Sequence, residues 1–344
     1  MKVADFDYAL PPGRIAQEPL ADRDASRLLV LDRSKGALRH EYFRDLPELL
    51  RSGDLLVVNR SRVFPARLLG RRPKSGGRVE VFLLRPVGEA DEWEALLHPG
   101  RRLRSGDAVR VGPDLTVTVL SAAYGHDARR RVRVEAPDVW GAIDRLGHTP
   151  LPPYVSRPDR PEDRERYQTV YARERGSVAA PTAGLHFTPA LLERLAARGV
   201  ERTEIVLHVG PGTFRPVKAE NVEEHRVDPE PFVIPEATAE RIAAARDRGS
   251  RVVCVGTTTV RALETRARDD GGVEPGAGET DCVIVPGFRF RVTDALVTNF
   301  HLPRSSLLLL VAAFSGRERV LSAYAEAVRL GYRFYSYGDA MLIE

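Results

Sequence analysis

The chain has 344 residues, 43% of them hydrophobic and 29% charged, with a formal charge of +4; this globular composition is long enough to bury the cores of two domains. Its two cysteines, Cys254 and Cys282, exclude a disulfide framework and a four-cysteine metal site and fit a reducing cytoplasm. The first residues lack an apolar secretory core, and the longest apolar run, residues 307–314, falls short of the ~18 needed to cross a bilayer, so a cytoplasmic protein without membrane contact is expected.

Taken in order, residues 28–33 (LLVLDR) and 54–59 (DLLVVN) are strand candidates. From residue 62 the pattern is short and alternating: RVFPARLLG, GRVEVFLLR, EWEALLH, DAVRVG, LTVTVL and RRVRVEA, broken by glycine, proline and charge. Six short strands with no long helix between them predict a small antiparallel barrel or sandwich. Residues 60–147 hold 17 Lys and Arg against 11 Asp and Glu, a local +6, and a basic module points to a polyanion such as nucleic acid. Only four of the 52 basic residues are lysine, a bias that a GC-rich genome produces without selection for binding. Leu151-Pro152-Pro153-Tyr154 ends the pattern and reads as the return crossing.

Residues 179–217 carry a helix and a strand bracketed by two loops of small residues. Thr188 is the expected N-cap, Pro189 occupies the first turn, Leu191, Leu192 and Leu195 form the apolar stripe, and Gly199 stops the helix. The strand then alternates Ile205, Leu207 and Val209 against Glu204, Val206 and His208. His208 precedes Gly210-Pro211-Gly212-Thr213-Phe214, and His186 lies in Thr182-Ala183-Gly184-Leu185-His186-Phe187. Such turns let a ligand approach the backbone closely, although tight packing around satisfied core histidines would produce the same residues.

Beyond this, helices are predicted over 235–248, 306–314 and 317–329, with another beginning near Thr259. Strands are predicted over 252–255, 281–285 and 295–298. The whole is an α/β domain (1–59 and 148–344) with an inserted antiparallel β-barrel domain (60–147). P-loop, dinucleotide-fingerprint, zinc-protease and nucleophile-elbow motifs are all missing from the sequence. Four turns remain as candidate sites. Gly256-Thr257-Thr258 with Arg261 suits an anion at a helix start. Thr298-Asn299-Phe300-His301 brings an amide and an imidazole, Tyr335 to Ala340 brings Asp339, and Glu223-Glu224-His225 pairs carboxylates with an imidazole. Together they supply general acid and base groups without a metal.

These segments carry a resemblance. ADFDYALPPGRIAQEP, GDLLVVN with RVFPARL, LGHTPLPPY with RYQTVYA, VAAPTAGLHF, LHVGPGTFRPV, VGTTTVRALE, VPGF, DALVTNFHLP and YRFYSYGDAM resemble the S-adenosylmethionine:tRNA ribosyltransferase-isomerase family of queuosine biosynthesis. The resemblance implies a metal-free enzyme using S-adenosylmethionine as co-substrate. It would transfer and isomerise the ribosyl portion onto 7-aminomethyl-7-deazaguanine at a tRNA wobble position, giving epoxyqueuosine with release of adenine and methionine. The barrel then becomes a tRNA contact. The alternatives are a divergent paralogue, or another S-adenosylmethionine-dependent transferase acting on a different substrate. Two departures stand out: Asn59-Arg60-Ser61-Arg62-Val63 where the family usually has Asn-Asn-Thr-Arg-Val, and Val227-Asp228-Pro229-Glu230 where it has Met-His-x-Glu.

On chemistry and position, His186 or His208 is the expected base, with the other histidine or Asp339 assisting adenine departure. Gly210, Gly212 and Thr213 would pack around ribose or adenine, beside Thr182 and Gly184 of the first loop. Thr257, Thr258 and Arg261 would hold the methionine carboxylate, and Asn299 and His301 would read the deazaguanine.

Overall fold

The computed structural model describes residues 1–88, 91–125, 127–214 and 217–344. Its strands are β1 Arg27–Leu31, β2 Leu38–Tyr42, β3 Leu55–Asn59, β4 Ser61–Val63, β5 Arg67–Arg71, β6 Arg78–Pro86, β7 Glu92–His98, β8 Ala108–Arg110, β9 Thr116–Val119 and β10 Arg130–Glu135. There follow β11 Glu174–Ser177, β12 Glu201–Leu207, β13 Glu230–Ile234, β14 Val252–Val255, β15 Gly276–Thr280, β16 Ala295–Asn299 and β17 Ala340–Ile343. The helices are α1 Leu46–Leu49, α2 Val139–Leu146, α3 Asp163–Arg166, α4 Pro189–Ala197, α5 Glu236–Asp247, α6 Thr257–Thr265, α7 Ser306–Ser315 and α8 Arg317–Arg329.

Nine strands make one sheet in the order β15-β13-β12-β3-β14-β16-β17-β1-β2. Its central strands are buried on both faces, as continuous Val and Leu runs require. Leu29, Leu55, Val57, Cys254 and Leu296 pack with α5 to α8, while Leu28, Leu56, Val58, Val253 and Val297 pack with α1 and α4. Each fully buried aliphatic side chain contributes about 1.5–3 kcal/mol.

The topology decides where a site can form. β12, β3, β14 and β16 are parallel to one another, so their carboxyl ends share one end of the sheet. β17 runs against β16, setting Ala340 opposite Asn299, and parallel to β1, setting Ala340 beside Leu28. The same end of the sheet therefore also receives the residues that lead into β17 and β1. Loops distant in sequence meet where open α/β sheets bind ligands.

The second unit is a closed barrel, β10-β7-β6-β5-β8-β9, filled by alternating inward residues such as Leu68, Val81, Trp93, Val117 and Val132. α2, capped by Asp138 accepting from Gly141 N at 3.0 Å, packs Ala142 and Ile143 into the same core. The chain enters past β4 and returns through β11, which pair in parallel. This is the expected α/β domain with an inserted antiparallel barrel.

Several local expectations are corrected. The first predicted barrel strand divides at Phe64–Ala66 into β4 and β5 because Pro65 cannot donate to a ladder. Residues 281–285 are not a strand; the pairing segment is the preceding β15, in which Gly276 and Gly278 give no strand signal. α6 starts at Thr257, two residues early.

Candidate active site

A cleft of about 350 Å³ lies between the barrel and the sheet end, within the size range of small-ligand sites. The sheet side contributes His208, Gly210, Gly212, Glu230 and Arg261, and the barrel side Arg85, Glu94 and Arg129. The Thr213 side chain lies outside the described residues.

His208 leaves the end of β12 in a held position. Asn59 at the end of β3 accepts from Leu207 N at 3.0 Å and Ser61 N at 3.1 Å, and its amide donates to Leu207 O at 2.9 Å. Ser177 Oγ accepts from Val209 N at 3.0 Å. These bonds clamp the backbone on both sides of the imidazole. Gly176, at φ +152°, forms the floor beneath the ring; a Cβ there would stand 2.6 Å from His208 Cε1. Burial lowers the His208 pKa below its ordinary value, so the ring is neutral near pH 7. Its buried Nδ1 has no hydrogen-bond partner among the described residues. A neutral, half-buried imidazole with a spare nitrogen has the properties of a general base.

Glu230 and Arg261 form the rear wall. Both are buried, at 4% and 7% exposure, and joined by an ion pair. Glu230 also accepts from Gly210 N at 2.8 Å, while Arg261 donates to Cys282 O at 2.9 Å and Thr280 O at 3.1 Å. The guanidinium thus ties α6 to β13 and β15 instead of standing ready for a substrate carboxylate. Opposite, barrel Arg129 pairs with Asp228 at 2.5 Å and Asp127 at 2.8 Å. Arg85 reaches both Glu94 and Glu279 at 2.9 Å. These pairs close the cleft sides.

A narrow pocket of about 30 Å³ adjoins the cleft, sharing Val209 and Leu307 with it. Thr182, Thr257, Thr258, Asn299 and His301 line it. Four separate loops are thereby brought together, as the topology demands. Asn299 and His301, expected to read the deazaguanine, thus stand in a pocket beside the cleft and not among its lining residues. His301 is buried with its pKa lowered to about 3 by desolvation, and its Nε2 meets Thr298 Oγ1 at 2.9 Å.

His186 lies elsewhere. It lines a separate small cavity with Arg23, Arg166 and Tyr337, stacks on Phe43 with ring centroids 4.9 Å apart, and is 4% exposed. Both of its nitrogens are engaged, Nδ1 with Ser26 Oγ at 2.7 Å and Nε2 with Asn299 Nδ2 at 3.0 Å. Desolvation lowers its pKa to about 3. Asp339 is occupied too, accepting from Arg27 N at 3.0 Å and Arg333 N at 2.8 Å; it fastens β1 to the C-terminal turn. Gly184 packs under Tyr171, whose hydroxyl would stand 2.2 Å from a Cβ. In the Glu223-Glu224-His225 cluster the carboxylates turn away from the imidazole, Glu223 to the N-terminal amine at 2.9 Å and Glu224 to Asn221 at 2.9 Å.

Glu230, Arg129 and Ser26 were not among the expected site residues. Glu230 stands in the motif that departs from the family pattern, which was the available signal. The others have no local signal, since their places depend on contacts with distant segments. Among the described residues no group of three or more His, Cys, Asp or Glu is placed to hold a metal, and no helix is long and apolar enough to cross a membrane.

Fold and cleft together define a two-unit α/β enzyme with a barrel forming one wall of its site. A family model described as "Queuosine biosynthesis protein" matches residues 3–343. The S-adenosylmethionine:tRNA ribosyltransferase-isomerases of Moorella thermoacetica and Aquifex aeolicus are 54% and 51% identical to this chain, each aligned over 100% of both proteins. The solved S-adenosylmethionine tRNA ribosyltransferase of Thermotoga maritima is 41% identical, with a TM-score of 0.57, covering 99% of this chain and 100% of that one. The chain belongs to the S-adenosylmethionine:tRNA ribosyltransferase-isomerase family of queuosine biosynthesis, and it is an enzyme.

Proposed function

We propose that the cleft between sheet end and barrel is where this enzyme brings S-adenosylmethionine to the modified wobble base of a tRNA. The reaction is transfer and isomerisation of the ribosyl portion onto 7-aminomethyl-7-deazaguanine. Epoxyqueuosine-tRNA forms, and adenine and methionine leave. The α/β unit (1–59 and 148–344) binds the sulfonium substrate and the barrel unit (60–147) meets the tRNA, with no metal or further cofactor. The reading is of a cytoplasmic enzyme.

The observation that carries this reading is the neutral His208 imidazole, its Nδ1 without a partner among the described residues, on a cleft wall faced by the barrel. The positive sulfur of the substrate acidifies the hydrogens on ribose C5′, so a base poised near neutrality suffices. His208 takes a C5′ proton; the freed pair forms a C4′–C5′ double bond and breaks C4′–O4′, and the ring oxygen becomes a C1′ carbonyl as adenine leaves C1′ and takes up a proton at N9. The amine of the base then adds to C4′ and loses its proton, the resulting C5′ carbanion closes onto C1′ to make the cyclopentane, and the C1′ alkoxide forms the epoxide by breaking the C5′–S bond, which releases methionine. The cleft walls exclude water from these intermediates. The restraint of His208 by Asn59, Ser177 and Gly176 keeps the base in place without reorganisation.

Incubation with S-adenosylmethionine and tRNA carrying the aminomethyl base should yield adenine, methionine and the new nucleoside in equal amounts by mass spectrometry. His208→Ala should lower turnover by about 10²- to 10⁴-fold. A methylated product, or no adenine, would favour the alternative transferase.

A further inference from the structure

Two residues lining the narrow pocket beside the cleft each carry a buried polar atom with no partner among the described residues, Thr258 Oγ1 and Asn299 Oδ1. Their residues are 5% and 2% exposed, and a buried polar group left unpaired costs about 1–3 kcal/mol. Two in one pocket point to a ligand that pairs them.

The chemistry of that ligand follows from the groups around it. Thr257 and Thr258 open α6, whose first N–H groups have no partner within the helix. Its N-cap, Gly256, sits at φ +88° and has no side chain to cap with. By contrast, α4 and α7 are capped by Thr188 and Ser305. A carboxylate matches an uncapped helix start beside a hydroxyl donor.

Asn299 has the opposite preference, and its orientation is determinate. The amide nitrogen faces Tyr335 O at 3.3 Å and Asp339 O at 3.5 Å, and carbonyls accept only donors. Nδ2 therefore also donates to His186 Nε2, which puts the His186 proton on Nδ1, facing Ser26 Oγ. Ser26 Oγ in turn donates to Arg23 O at 3.4 Å. The chain of bonds leaves Oδ1 as a fixed acceptor for the pocket, suited to an ammonium.

We infer that this pocket binds the α-amino acid end of the sulfonium substrate, carboxylate on the start of α6 and Thr258, ammonium on Asn299 Oδ1, with Ser26 and His186 as positioning residues. The inference rests on the reading of S-adenosylmethionine as the cleft's substrate. Val209 and Leu307 line both the pocket and the cleft, so the rest of the molecule would extend into the cleft that His208 lines.

Calorimetric binding to the full chain tests it with two probes: S-adenosylmethionine, and the dimethylsulfonium analogue of 5′-deoxyadenosine, which lacks the amino acid end. The native protein should prefer S-adenosylmethionine by at least tenfold. Thr258→Val and Asn299→Ala should each reduce that preference by about tenfold or more without changing affinity for the analogue. His186→Phe should do the same and His186→Gln, which keeps an acceptor, should restore it. His186→Phe should also raise KM for S-adenosylmethionine more than it lowers kcat, and His186→Gln should return KM towards the native value. Equal loss of both probes in Thr258→Val and Asn299→Ala, or equal native affinity for both, overturns the inference while the cleft reading stands. Native protein that binds neither probe overturns both. Thr258→Val is nearly isosteric and carries the test if His186→Phe does not fold.

Discussion

His186 and His208 bracket the same helix and strand and are near mirror images in sequence, yet the fold gives them opposite circumstances. His186 is enclosed, stacked on Phe43 and bonded at both nitrogens. His208 opens on a cleft with Nδ1 unpartnered among the described residues. Both have lowered pKa values because burial disfavours the imidazolium. The difference is in hydrogen bonding: the His186 imidazole is saturated and orients its neighbour, and the His208 imidazole keeps an unpaired nitrogen beside the cleft.

The rear wall provides the severest challenge to this contrast. Arg261→Met removes the guanidinium from a buried ion pair with Glu230 and should be destabilising, read as a lower urea midpoint. The His186 bonds are remote from this pair and should persist in the variant's crystal structure. Cleft and relay would then be independent; loss of both together would make them one unit.

Gly176→Ala sharpens the comparison at the cleft alone. The new Cβ must displace the His208 ring, 2.6 Å away, and kcat should fall about 10- to 100-fold, equivalent to about 1.4–2.7 kcal/mol, with little change in affinity for S-adenosylmethionine.

Acid titration probes the enclosed histidines. The folded pKa values of His186 and His301 lie near 3, against about 6.5 in the unfolded chain. The unfolded state therefore binds more protons below pH ~6.5, and stability present above that pH is lost as pH falls toward 3. Each group should contribute a slope of about 1.4 kcal/mol per pH unit. Urea unfolding between pH 7 and 4 measures this, and His301→Gln should remove one proton's share.

The smallest effect belongs to the rim. Arg85 and Glu279 join barrel to sheet at 2.9 Å with side chains 40% and 54% exposed, and Arg85→Ala should change stability by under about 1 kcal/mol.

Much of the architecture was legible because burial has a period. The six barrel strands alternate cleanly, and α8 was bounded correctly between Gly316 and Arg329. β15 was not, because its glycines carry no hydrophobic pattern. In the site, the candidate turns were visible as small-residue loops, and the pocket does collect Thr182, Thr257, Thr258, Asn299 and His301. What was hidden is long-range. Nothing near His186 announces Ser26, 160 positions away, or Asn299, 113 away. Nor does anything near Arg261 reveal that Glu230 already holds it.

The most direct test of the division between the two histidines is the single-turnover rate as a function of pH, at saturating S-adenosylmethionine and tRNA, in native enzyme, His208→Ala and His186→Gln. The native rate should fall on the acid side with an apparent pKa below 6.5, His186→Gln should keep that limb, and His208→Ala should be about 10²-fold slower or worse with the limb gone. A near-native rate with an intact limb in His208→Ala, or a limb abolished in His186→Gln, would contradict the account.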